Sequence, residues 1–389
     1  MAIGRREFLS TAGLAGLSLA SGEMTLRDLI DAPQTPPKAL VGVIGSNFGG
    51  LHDANGTAVS GLVDPRPLDS ALTDSQLDAM VRKAFEAATT SADGLTHIVK
   101  PNDWVVIKPN IVLCPGVSEV MQVNWIPGMV ADPRVVRSLI AWLVESRCGR
   151  RFTIAEASGG WKCLDHSKEK TDGWTTTWNG VFGGFSYKEM IADFSRRYPS
   201  LRFDTLDLNF DNVIEVAVPG GALASGNPAG KYFIPRTVLK CDRLISVAAM
   251  KTNPVGASLS IKNYFGIGPG SFYGFPKLKL HEFGDPSEVM VDLLSFHPAD
   301  YALVGGCFGV EGDGQQNVRH NVIVAGANAV AVDAVAAAVM GFSPAELLFL
   351  RNASKKGFGT HDLNQIHARG NSLAEVRRKF VPDPDWHPA

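Results

Sequence analysis

Short apolar runs that stop abruptly at polar or glycine-bearing turns alternate along this chain with stretches whose apolar residues return every third or fourth position. The first run, Ala39-Leu40-Val41-Gly42-Val43-Ile44, follows the proline-bearing spacer Gln34-Thr35-Pro36-Pro37 and reads as a buried strand that opens a folded domain. Thr73-Asp74-Ser75-Gln76 has capping-box spacing, and Leu77, Met80, Val81, Ala84 and Phe85 follow at helical intervals, which predicts a helix over about 75–88. Asp103-Trp104-Val105-Val106-Ile107-Lys108 reads as a strand ended by Pro109-Asn110. Asp132-Pro133 then caps an amphipathic helix that carries Val135, Val136, Leu139, Ile140 and Leu143. Two further runs read as strands: Phe152 to Glu156, ended by Ser158-Gly159-Gly160, and Arg243 to Ala248, which continues into Met250-Lys251-Thr252-Asn253-Pro254. Later come an expected strand from Asn321 to Ala325, a buried Ala/Val-rich helix from Ala329 to Met340, and a helix start at Ser343-Pro344.

This order of strand, helix and strand predicts an α/β fold: a mainly parallel sheet flanked by helices, in three layers, with functional loops at the carboxyl ends of the strands. No internal repeat breaks residues 39–389, so a single α/β domain is expected, with an aromatic-rich insertion at 161–187. Ahead of it, Gly4-Arg5-Arg6-Glu7-Phe8-Leu9-Ser10, the mild apolar stretch from Thr11 to Ala20 and the polar flank Ser21-Gly22-Glu23 have the ordered parts of a twin-arginine signal peptide. Residues 1–30 are therefore expected to be an export signal that meets the twin-arginine translocase, and 31–38 a linker, leaving the mature domain periplasmic or extracellular. The apolar part is too short to cross a bilayer, and no other run approaches the ~18 apolar residues of a membrane span.

Composition narrows the partners. With 389 residues, 45% hydrophobic and 20% charged, the chain is ordinary globular material, and a net charge of −2 gives no footprint for nucleic acid. Small-molecule or glycan partners remain. The five cysteines include no C-x-x-C pair, which argues against an iron–sulfur cluster or a structural zinc site, and their odd number leaves at least one thiol free.

The strand ends supply the candidate chemistry. Lys108, Asn110, Lys251 and Asn253 end two strands, and Lys262-Asn263 is joined to Lys279-x-His281 by the glycine-rich Tyr264-Phe265-Gly266-Ile267-Gly268-Pro269-Gly270, whose backbone can fold closely round a ligand. Lysine binds anions or, with a lowered pKa, acts as base or covalent anchor, while neutral imidazole ligates metal or moves protons. Glu156, Glu311 and Asp313 are acidic candidates beside glycine-bearing turns; Asp333, ahead of an Ala/Val helix, is expected to cap it or make a buried hydrogen bond. Trp161, Trp174 and Trp178, set among polar residues in the insertion, suit a planar or sugar-like ligand, or else a small satellite core over the sheet edge. Gly45-Ser46-Asn47-Phe48-Gly49-Gly50 lacks the spacing of a dinucleotide turn and reads as a surface loop.

Ile107-Lys108-Pro109-Asn110, Asp132-Pro133, Glu156 before its Ser-Gly turn, Met250-Lys251-Thr252, Ser260-Ile261-Lys262-Asn263 with Gly266, His281, Val310-Glu311-Gly312 and Ala331-Val332-Asp333-Ala334-Val335 form an ordered set. In that set the chain resembles the domain-of-unknown-function 362 family. Members are often paired with ferredoxin-type cysteine clusters, and this chain has none. The order of Lys262 and His281 across a glycine-rich segment is more remotely similar to the nickel-pincer lactate racemase group, which implies a lysine that carries the pyridinium cofactor and a histidine that helps hold nickel. The paired acid and base histidines of that group have no counterpart here.

The resulting expectation is an exported enzyme with a metal or organometallic cofactor, acting on a small polar or glycan-derived substrate. Lys262, His281, Glu156 and Glu311 are its catalytic candidates, His281 and Glu156 its candidate ligands for a transition metal, and Lys108, Asn110, Lys251, Asn253, Asn263, Trp161, Trp174 and Trp178 its ligand-binding set. Two alternatives stand beside it: a non-catalytic extracytoplasmic binding protein that captures ligand on the tryptophans, and a metal-independent hydrolase using Ser258 or Ser260 near Lys262.

Overall fold

The computed structural model describes residues 39–52, 56, 58–89, 94–112, 114, 124–158, 174–274 and 277–389, and among these described residues it has thirteen strands and a set of helices. The twin-arginine segment, the linker, Cys163 and residues 161–173 of the aromatic insertion, Trp161 included, lie outside the described residues. In chain order the strands are β1 (Ala39–Gly45), β2 (Gly50–His52), β3 (Ala58–Ser60), β4 (Trp104–Pro109), β5 (Arg151–Glu156), β6 (Arg202–Asp207), β7 (Val213–Ala217), β8 (Lys231–Pro235), β9 (Arg243–Asn253), β10 (Gly256–Ser258), β11 (Tyr301–Glu311), β12 (Gln316–Gly326) and β13 (Ile366–Gly370).

The main sheet runs β13-β1-β12-β11-β9-β4-β5-β6, with β10 folded back on β9. From β11 to β6 every neighbour is parallel, and β1 pairs parallel with β13; β12 is antiparallel to both β1 and β11. The sheet is thus mainly parallel and flanked by helices in three layers. Helices α1 (Asp74–Ala87), α2 (Pro133–Glu145) and α3 (Tyr187–Arg197) cover one face; α4 (Pro286–Leu294), α5 (Ala329–Val339) and α6 (Leu348–Lys355) cover the other. Strand alternation feeds both cores: Val105, Ile107, Ile245 and Val247 pack in one, Val106, Leu244 and Ala248 in the other.

The local signals act as their chemistry requires. The Thr73 side chain caps α1 and Gln76 reaches back to the cap, completing the box, and Asp132 accepts from the Arg134 amide at 3.0 Å to start α2 behind Pro133. Asp333 lies inside α5 and makes a buried hydrogen-bond set described below. Ser343-Pro344 starts only a short 3-10 turn, Pro344–Glu346, and α6 begins after it at Leu348. The expected strand at Asn321 is the second half of the longer β12, whose hairpin partner β11 bulges where Gly305 and Gly306 take φ of 108° and 149°. A Cβ on Gly305 would meet the Val322 carbonyl, so the bulge requires glycine. Beyond the bulge β11 resumes pairing with β9 at Met250 and Lys251, which carries β9 on to its polar end.

Candidate functional site

The parallel strands β9, β4 and β5 are neighbours in the sheet, and near their carboxyl ends they carry Lys251, Lys108 and Glu156. Apolar residues along each strand fix the depth of these ends, so the charges are held in the protein interior rather than in water. Lys108 is fully buried and forms an ion pair with Glu156, itself 3% exposed. The Lys108 amine also donates to Asn263 Oδ1 at 2.6 Å, while Asn263 Nδ2 donates to the Lys108 carbonyl at 2.9 Å and to Ser246 Oγ at 3.0 Å. Asn263 thereby ties the strand ends to the 3-10 turn Lys262–Ile267. Gly266 in that turn lies against the Lys108–Glu156 pair so closely that a Cβ would collide with both side chains, which explains the glycine. Its carbonyl accepts from the Ala157 amide at 2.8 Å.

Three more lysines complete the cluster. Lys251 donates to Asn110 Oδ1 and to the Met129 carbonyl at 3.0 Å. Lys277, which the sequence did not single out, is 4% exposed and donates to the carbonyls of Ala157 and, at 2.8 Å, Phe265. It holds a left-handed backbone, φ 65°, unusual for lysine and a sign that its placement is over-determined by the surrounding structure. Lys262 is half-buried, and its amine sits 3.8 Å over the ring of Phe265. His281, exposed, tilts against the same ring at 5.3 Å between centroids. Lys279 beside it is exposed and outside the cluster's contacts.

Burial sets the charge state. It pulls Lys251 and Lys277 down to about 7, and the charge of Lys262 adds to the push on both, while Glu156 holds against it. Burial alone brings Lys262 to about 8. For the central pair it pushes Glu156 up and Lys108 down, each against the pull of the other. Burial also raises Asp207, at the end of neighbouring β6, to about 7, opposed by hydrogen bonds from Asn209. His281 is lowered by burial and by the Lys262 charge, so its imidazole is neutral at pH 7. Three lysine side chains therefore act on the Glu156 carboxylate, with Lys262 and Asp207 close by, and the site has an excess of positive charge wherever its amines are protonated.

Other candidates fall elsewhere. Glu311 accepts from Arg378 at 3.3 Å and from the Val381 amide at 3.2 Å, so it anchors the C-terminal segment rather than joining the lysines. Trp174 and Trp178, expected on a ligand-facing loop, are 4% and 0% exposed and pack with Tyr187 and Phe182 in the core beneath α3. The satellite-core reading fits them, because indoles gain more from apolar packing than from solvent. Asn253 Oδ1 accepts from Val255 at the turn into β10. The Ser260 hydroxyl, the nucleophile of the hydrolase alternative, donates to Asp333 Oδ1 at 2.6 Å and is fully buried. Cys148, Cys241 and Cys307 are buried free thiols. No helix among the described residues is long and apolar enough to cross a membrane.

A family model described as Domain of unknown function (DUF362) matches residues 105–338, which carry the whole lysine cluster, Glu156 and His281. No curated protein matches the chain.

Proposed function

The chain belongs to the DUF362 family, and we propose that it is an enzyme acting on a small organic anion. The observation that carries this reading is the convergence of Lys108, Lys251 and Lys277 on the carboxylate of Glu156, with Lys262 close enough for its charge to act on Lys251 and Lys277. Buried like charges are costly unless paired, and an anion bound among them supplies the missing counter-charge. In this reading the three deeper lysines set a positive potential, Lys262 and His281 at the solvent side touch the ligand, and amines titrating near neutral pH serve as proton carriers.

Among the described residues no group of three His, Cys, Asp or Glu side chains could hold a metal ion, and His281 stands among cations. A transition metal coordinated by His281 and Glu156 does not fit that donor set, since Glu156 is already bound to Lys108. An anionic organic group, substrate or cofactor, does fit. The Arg5-Arg6 motif supports an address outside the cytoplasm, reached through the twin-arginine translocase.

Oxalate serves as the test anion. It is expected to raise the melting temperature of the wild-type chain, and Lys262→Met is expected to weaken its binding at least about tenfold, some 1.4 kcal/mol, while Lys279→Met leaves it unchanged. Titration calorimetry reads both. If inorganic phosphate and oxalate each fail to bind, or Lys262→Met binds oxalate as well as wild type does, the proposal fails.

A further inference from the structure

We infer that Lys262 is a covalent nucleophile, forming an imine with the carbonyl carbon of an anionic aldehyde or ketone, so that the substrate class is a small oxo acid; this rests on the anion-binding reading above. The hydrogen-bond pattern separates Lys262 from its neighbours. The amine of Lys108 is held by Glu156 and Asn263, that of Lys251 by Asn110 and the Met129 carbonyl, and that of Lys277 by the carbonyls of Ala157 and Phe265. An amine that donates to two fixed acceptors is tied in one orientation, and turning its lone pair onto a ligand breaks those hydrogen bonds. Lys262 alone of the four has no hydrogen-bond acceptor on its amine among the described residues; it rests on the π face of Phe265, 3.8 Å from the centroid. That contact positions the nitrogen without occupying it.

The surroundings supply the rest of an amine-catalysis site. Lys251 and Lys277 lie close enough for the charge of Lys262 to depress them, and burial lowers Lys262 itself toward the neutral, nucleophilic amine. Lys262 is half-buried where Lys108, Lys251 and Lys277 are buried, so of the four it lies nearest to solvent. His281 shares the Phe265 ring and carries a neutral imidazole that can exchange protons with solvent. The carboxylate of an oxo acid would neutralise the cluster while its carbonyl carbon meets the amine.

The step balances without any oxidant. The Lys262 lone pair forms the N–C bond as the C=O π pair moves to oxygen, and a proton passes from nitrogen to oxygen to give a carbinolamine. A second proton, delivered through His281, lets the hydroxyl leave as water while the nitrogen lone pair closes the C=N bond. The iminium then withdraws electrons from the neighbouring carbon, the chemistry by which amines promote proton abstraction or loss of carbon dioxide next to a carbonyl.

Trapping with glyoxylate and sodium cyanoborohydride in the full-length chain, followed by peptide mapping, tests this. The reduced adduct is expected on Lys262 at least about tenfold faster than on exposed Lys279, to be suppressed by oxalate, and to vanish in Lys262→Arg, which keeps the charge. Adducts spread evenly over surface lysines, or none on Lys262 in a chain that oxalate stabilises, overturn the imine and leave the anion site standing. Absence of both the adduct and oxalate binding overturns the two together.

Discussion

Lys251 and Lys277 hold amines that titrate at about 7 and Lys262 one at about 8, against 10.5 in an unfolded chain. Between about 7 and 10.5 the unfolded state therefore binds more protons than the folded one at these positions, and stability rises with pH across that window. His297, held up to about 10 chiefly by Asp300 and Cys241 against its burial, works in the opposite sense but cancels when two variants are compared. Lys251→Met removes one such lysine and is expected to flatten the rise by up to about 1.4 kcal/mol per pH unit, read from urea unfolding at a series of pH values. Parallel curves for the two proteins would contradict the assigned burial. Lys108, Glu156 and Lys251 were legible in the sequence because each interrupts an apolar run close to a strand's carboxyl end. Lys277 was not. Its neighbours Pro276 and Leu278 mark no strand end, and a left-handed lysine has no sequence signature. Trp178 misled for the opposite reason: tryptophans among polar residues look solvent-facing, yet α3 and the Phe182 segment close over this one.

At the scale of elements, α5 shows how a helix remote from the strand ends positions them. All of its residues from Ala329 to Val339 are buried, and its one charge, Asp333, accepts from Ser260 N at 2.9 Å, Ser260 Oγ at 2.6 Å and Ile261 N at 2.8 Å. The segment immediately before Lys262 is thus pinned by a helix 73 residues further along the chain. Asp333→Ala leaves three buried donors without an acceptor and is expected to cost about 3 kcal/mol or more in chemical denaturation and to weaken oxalate binding through Lys262. A loss under about 1 kcal/mol, with oxalate binding intact, would show that the turn holds itself. A carboxylate inside an Ala/Val run announces a buried hydrogen bond, and to that extent α5 was readable; the identity of its partner depends on tertiary packing. Strands β6 and β11 escaped notice because polar Asp204 and Thr205 dilute the first and the Gly305-Gly306 bulge interrupts the second.

For the whole molecule, the alternation of buried runs and amphipathic helices was enough to anticipate a three-layer sheet, since parallel strands need helical crossovers on both faces. Strand order was not, because nothing in β12 or β13 announces that they bracket β1. The proposed export belongs to this scale as well. Changing Arg5 and Arg6 together to lysine is expected to leave most of the chain in the cytoplasm on cell fractionation, with the folded domain unaltered; unchanged export would set the twin-arginine route aside. One feature of the site bears on any shortened or nicked form of the protein. The contacts that gather the lysines join residues 48, 120, 141 and 155 positions apart, so they draw on three adjacent strands and on loops far apart in the chain. A proteolytic fragment inherits some of the cations without the carboxylate and carbonyls that hold them, and so presents a self-repelling patch instead of a binding site. The proposed anion binding is consequently a measure of integrity: only a chain that has kept and assembled all of β4, β5 and β9 together with the Lys262–Lys277 segment would register it.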